Sequence, residues 1–302
     1  MRSARRHSGF TLIEILISIG IMALLSTILV IAIQPSLENA KISATKSIIA
    51  QIDRQLQARL QAFNKLNFEE PGNYVVAQAR RDGMNLTDAE AKALVAKSKY
   101  RLEFPQRLED LLEGGVRSPL MTAVKESLGL TDDQPIPATV TVSSSELLYL
   151  LLTRGRTLGT ETYSIDGISS RYLTDEDGDG LTEIRDAWGN EIRFYNAPTR
   201  LFRPNGGDIN LDAGATIHFS SIPRDPNELN SDPFDRLNRL ARYSALGPGR
   251  YYDFKTYFSF LLVSSGPDGD LGLAEPEGSS AERLAQPNSL EQMFDNITNH
   301  QR

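Results

Sequence analysis

Hydrophobic and polar positions divide the chain into four stretches. The first is apolar almost without a break, "GFTLIEILISIGIMALLSTILVIAI" at residues 9–33, interrupted only by Glu14. From Ile15 to Ile33 there are 19 uncharged residues, about 28 Å of helix and close to the hydrocarbon thickness of a bilayer. This predicts a transmembrane helix over residues 10–33. Arg2, Arg5 and Arg6 precede it, and the positive-inside rule puts the N-terminus in the cytoplasm and the rest of the chain on the far side. A cleavable secretory signal is a second reading, but its apolar core is shorter and ends at an A-x-A site, and no such triplet follows here. A buried core helix is a third; an all-round apolar surface behind a basic flank fits a membrane better.

The second stretch is amphipathic. Leu37, Ala40, Ala44, Ile48, Ile52, Leu56, Leu60 and Phe63 follow at steps of three and four, which predicts one apolar helix face, with Lys41, Lys46, Asp53, Arg54 and Arg59 largely elsewhere. The helix is expected to run over residues 34–66, loosened at Pro35, which has no N–H, and to stop before "EEPGNY".

The third stretch, residues 67–160, reads as a helical insertion. Thr87 and Glu90 have capping-box spacing, as do Ser143 and Glu146, whose helix is expected to end at Gly155. Ser118 followed by Pro119 marks another helix start, and "TDDQPIPATV" is a loop. The fourth stretch, residues 161–274, predicts a β-rich head: "EIRFYNAP" (191–198), "ATIHFSSI" (215–222) and "YFSFLLVSSG" (257–266) are β-branched and aromatic between turn residues. Residues 275–302 read as a polar tail with a short helix at "SLEQMF". The fold class expected is α+β.

Composition narrows the chemistry. The 302 residues carry a net charge of −7, with no cysteine and three histidines, His7, His218 and His300. The acidic balance argues against nucleic acid, which is bound by clustered Lys and Arg. Disulfides, thiolate metal sites and cysteine nucleophiles are excluded, and Ser–His–Asp or multi-histidine metal chemistry has little material. A membrane-anchored hydrolase using paired carboxylates is a further reading, without a nucleophile motif to support it.

Glu14 is the anomaly in the apolar run. A charge at a helix centre costs roughly 2.5–3.5 kcal/mol on insertion scales, less near an end, so an intramembrane acid raises the question of its positive partner. A cut after Gly9 would create an α-amino group on Phe10 near the membrane level of Glu14, which a neighbouring copy could offer to this carboxylate.

These residues carry a resemblance. "SGFTLIE" is similar to the prepilin signature of type IV pilins and type II secretion pseudopilins. The resemblance implies cleavage of a leader, residues 1–9, between Gly9 and Phe10 by a prepilin peptidase, methylation of the new N-terminus, and a role for Glu14 in recruiting and registering subunits. It also implies a pilin-like fold, one long helix whose second half packs on the head. The expected partners are homologous pilin-like subunits, the peptidase and an inner-membrane assembly platform. The chain is expected in the bacterial inner membrane as a single-pass protein with a periplasmic head.

Two acidic loops suit a hard cation. In "DEDGDGLTEIRD", Asp175, Asp177 and Asp179 alternate before Gly180, the spacing of a calcium loop. There Leu181 offers its carbonyl, Glu183 acts through water, and Asp186 stands where a longer Glu is usual. A solvated acidic turn is the plainer reading. The second loop is "SSGPDGDLG". "RDAWGNEIRFY" resembles the D-x-W-G-N-x-x-x-Y segment of the major pseudopilin, and that resemblance implies structural Ca²⁺ at Asp268, Asp270 and carbonyls from Ser264 to Leu271. The lack of cysteine agrees, because many type IV pilins staple this loop with a disulfide. Trp188 reads as core packing. The function expected is a structural subunit of a type II secretion pseudopilus, not an enzyme; a type IV pilus or pilus-like fibre subunit for adhesion, motility or DNA uptake is the alternative.

Overall fold

A computed structural model describes residues 11–68, 74–115, 118–155, 167–196, 209–210, 216–217, 234–235, 237, 239–246, 260–276, 285, 289, 291–293 and 295–299. The fold is α+β: one long N-terminal helix, shorter helices, and small antiparallel sheets, the mixture a pilin-like fold calls for. Helix α1 runs continuously over Leu12–Phe63 and through Pro35. By compact units the chain divides into residues 1–43 and 44–302.

In the first unit every large apolar side chain from Leu12 to Ile28 is exposed, and among the described residues α1 is the one helix long and apolar enough to cross a membrane. In the second unit α1 buries Thr45, Ile48, Ile49, Ile52, Leu56, Arg59 and Phe63. This stripe differs from the predicted one: Leu37 and Ala40 are exposed, Ala44 and Leu60 half-buried, and two polar residues take interior positions. Each polar residue is satisfied there. Thr45 Oγ1 accepts from the Ala187 amide at 3.1 Å. Arg59 donates to the carbonyls of Gly155 (2.6 Å) and Glu103 (3.3 Å) and pairs with the Glu103 carboxylate at 2.9 Å.

The insertion forms α2 (Tyr74–Arg81), α3 (Asp88–Glu103), α4 (Pro119–Ser127) and α5 (Ser144–Arg154). Both capping boxes close, Thr87 with Glu90 and Ser143 with Glu146. Ser118 caps α4 with Pro119 at its first position, and α5 ends at Gly155. Each of these ends is set by residues within four positions, which is why the spacing alone locates them.

Strands β1 (Leu173–Thr174) and β2 (Glu183–Ile184) pair antiparallel, Leu173 opposite Ile184, so the first acidic loop is their connection. Next come β3 (Arg193–Tyr195) and the antiparallel pair β4 (Ile209–Asn210) and β5 (Thr216–Ile217). The central sheet adds β6 (Leu261–Ser264) and β7 (Ile297–Thr298) in the order β3-β6-β7. The rest of the predicted strand at 215–222 and residues 257–259 lie outside the described residues. Behind this sheet sits an aromatic core: Phe63, Tyr100, Phe104, Phe194 and Phe260 are fully buried, with Phe63 edge-on to Tyr100 at 5.7 Å.

The stretch read as a polar tail does more than that reading allows. Glu291–Met293 form a single 3₁₀ turn within "SLEQMF", and Ile297 and Thr298 complete the sheet. Asn299 then accepts from the Leu262 amide and donates to Phe260 O and to Asp53 Oδ1 on α1, at 3.0, 3.1 and 2.8 Å. A sheet partner this distant in sequence leaves no local signature.

Candidate functional site

At the N-terminus, Gly9 and Phe10 lie outside the described residues. Glu14 stands in the first turn of α1, where its carboxylate accepts from the amide and hydroxyl of Thr11 at 2.8 and 2.9 Å. The Thr11 hydroxyl in turn accepts from the Glu14 amide at 3.3 Å. This reciprocal pairing is a capping box, and it gives the acid local donors before any cation is supplied.

The β1–β2 connection gathers carboxylates. Asp175, Asp177 and Asp179 each bring an oxygen within 4.8 Å of the other two, and Glu146, Asp177 and Glu183 do the same. Inward-folding backbone holds the first group: Asp175 accepts from Gly178 and Gly180, Asp177 from Asp179, and Asp179 from Leu181. Gly180 has φ of +92°, and a Cβ there would lie 2.5 Å from the carbonyl of Ser127 at the end of α4, so only glycine fits. Leu181 turns its side chain into the core, leaving its backbone at the loop.

The electrostatics of this cluster are unbalanced. Glu146 and Glu183 are 2% and 3% exposed. Burial, with the neighbouring carboxylates, pushes Glu146 up to about 8 and Glu183 up to about 7, and also raises Asp179. The neighbouring Arg185 is engaged by Glu176 and by the Gly189 carbonyl. Among the described residues no ion pair forms with any of the five acids. Asp179 Oδ2 is buried and accepts no hydrogen bond.

Asp186 does not join them. Its Oδ1 accepts from the amides of Trp188, Gly189 and Asn190 at 2.8–2.9 Å, and its Oδ2 from the Ser264 hydroxyl at 2.6 Å. It organises the "DAWGN" turn and ties it to the second acidic loop, which Asn190 also reaches through Gly266 O at 3.2 Å. Trp188 is half-buried at the turn and is not a core residue. Ser264 is fully buried. In the second loop Asp268 accepts from the Asp270 amide, Asp270 from Gln292, and the Asp268 amide donates to Asp295. Burial, with the charges of Asp268 and Asp270, raises the Asp295 carboxyl. Sequence reasoning missed Asp295, which arrives from the C-terminal stretch, and Glu146, whose capping role accounted for it fully.

A family model described as the prokaryotic N-terminal methylation motif, which is type IV pilin-like, matches residues 4–30. That stretch contains Gly9, Phe10 and Glu14. Neither the curated proteins nor the solved structures compared with this chain include a match.

Proposed function

We propose that the chain is a structural subunit of a type II secretion pseudopilus, cut between Gly9 and Phe10 by a prepilin peptidase, methylated at Phe10, and assembled with homologous subunits through α1. The observation that carries this reading is the methylation motif running directly into an apolar helix with no buried side chain from Leu12 to Ile28 and an acid, Glu14, in its first turn. Membrane or neighbouring helices supply the apolar surroundings that the chain itself does not. The amino group of a neighbouring subunit replaces Thr11 as the partner of Glu14. In this reading the head lies in the periplasm, and the work of the molecule is mechanical, without catalysis.

The preference for a pseudopilus over a pilus rests on the "DAWGN" segment and on the absence of cysteine. Structural Ca²⁺ belongs to the same reading. The acids of the β1–β2 loop fit it: they are hard oxygen donors, they lack a protein cation among the described residues, and one buried carboxylate oxygen is left unbonded. Asp175, Asp177 and Asp179 would hold the ion, with the Leu181 carbonyl and Glu183 beside them. Asp268 and Asp270 are the candidates in the second loop.

Intact mass measurement of the membrane-extracted protein, co-expressed with its peptidase, tests the assignment. The expected chain begins at Phe10 and is heavier by one methyl group. A chain retaining Met1, or cut beyond Ile33, would overturn the reading. Glu14→Ala is expected to leave cleavage intact and to remove the chain from sheared or cross-linked fibres. Recovery of the fibre at the cell surface in the absence of a secretion channel would assign it to a pilus instead.

A further inference from the structure

The segment "SSSE", residues 143–146, is stitched into the head residue by residue. Ser143 caps α5, while the Ser144 hydroxyl accepts from the Phe194 amide on β3 at 3.1 Å. The Ser145 hydroxyl exchanges two bonds with Ile184 on β2, accepting its amide at 2.9 Å and donating to its carbonyl at 3.0 Å. All three fix the fourth residue. Glu146, almost wholly buried, then lies with Asp177 and Glu183 so that one oxygen from each falls within 4.8 Å of the others. Among the described residues a single bond holds its carboxylate, from the Ser143 amide at 2.6 Å to Oε2, which leaves Oε1 without a donor.

Five carboxylates therefore fall in two groups that share Asp177, two of them inside the protein, contributed by α5, by the β1–β2 loop and by β2. Buried charges of one sign need protons or a counter-ion. Asp179 Oδ2, buried and unbonded, lies in the adjoining group that shares Asp177. The loop also approaches the insertion closely at Gly180, where a Cβ would lie 2.5 Å from the Ser127 carbonyl.

Resting on the calcium reading above, we propose that Glu146 is itself a ligand, and that one Ca²⁺ shared with Asp177 and Glu183 clasps the helical insertion to the head. This gives the insertion a function: it completes a cation site that the loop alone would leave open on the α5 side. Position 12 of a self-contained calcium loop is not needed, which agrees with Asp186 being spent on the "DAWGN" turn.

The test uses the full chain in detergent micelles carrying Asp268→Asn and Asp270→Asn, so that only the first loop is read. After EDTA treatment, Ca²⁺ binding is followed by calorimetry and thermal unfolding by circular dichroism. The parent is expected to bind Ca²⁺ and to melt higher with it. Glu146→Gln keeps an acceptor for Ser143, so its metal-free melting temperature should equal or exceed the parent's, while affinity falls about tenfold or more with the loss of a ligand charge. Asp177→Asn, at an exposed position, should lose binding in the same way, independently of any folding effect at α5. Parent-like affinity in Glu146→Gln, with weakening in Asp175→Asn, would overturn the role of Glu146 and leave a calcium-binding loop. Absence of Ca²⁺ binding in the parent would overturn the calcium reading and this inference together, without touching the fibre assignment, which the mass measurement decides.

Discussion

Two parts of one helix, α1, treat their apolar side chains in opposite ways. From Leu12 to Ile28 they are exposed, Leu12 at 82% and Met22 at 67%, whereas Ile52, Leu56 and Phe63 are completely buried. Sequence hydropathy ranks the first part as the more apolar, yet only the second contributes to a core. Burial thus depends on what the rest of the chain offers: the second part meets the aromatic rings of Tyr100 and Phe104 and the backbone at Glu103, Gly155 and Ala187. The first awaits a surface supplied from outside. Even the polar residues follow the division, since Thr45 and Arg59 are interior while Ser18 and Thr27, in the apolar run, donate back to carbonyls of their own helix.

Equivalent deletions in the two parts should therefore have unequal effects on the head. Thermal unfolding of the full chain in detergent reads them. Phe63→Ala removes a fully buried ring and should cost about 3–5 kcal/mol. Arg59→Met removes the buried bonds from Arg59 to the Glu103 carboxylate and the Gly155 carbonyl and should cost about 2–3 kcal/mol. Thr45→Val strands the Ala187 amide and should cost about 1–2 kcal/mol. Leu16→Ala should change head stability by less than about 0.5 kcal/mol, its effect appearing instead in membrane partition. A Leu16→Ala loss comparable to that of Phe63→Ala would break the contrast; a graded series in this order would sharpen it.

What the sequence disclosed and withheld follows the same physical line. The span, the caps at Thr87, Ser118 and Ser143, the end at Gly155 and the alternating acids of the first loop are local features, each written within a few residues. Polarity alone places Arg59 off the apolar face, whereas Arg59 and Thr45 are interior and their partners lie 44, 96 and 142 residues away. Glu146 was legible as a cap and illegible as a neighbour of Asp177, since nothing in "SSSELL" points to a loop thirty residues later. Asp186 matched a loop position by spacing, but the amides of its own turn and the distant Ser264 hydroxyl hold it instead. The terminal strand β7, two residues long, carries no periodicity to detect.

That terminal strand also sets a schedule. Asn299 bonds to Phe260, to Leu262 and, 246 positions back along the chain, to Asp53. A polypeptide made from its N-terminus must therefore be nearly complete before this bond to α1 can form. Until then Asp53 on α1 lacks this partner, because contacts this far apart in sequence form last and slowest. The interval between synthesis and closure leaves the chain open to proteolysis and to pairing with the wrong neighbour. Quality control acting on this protein would find its target in that interval.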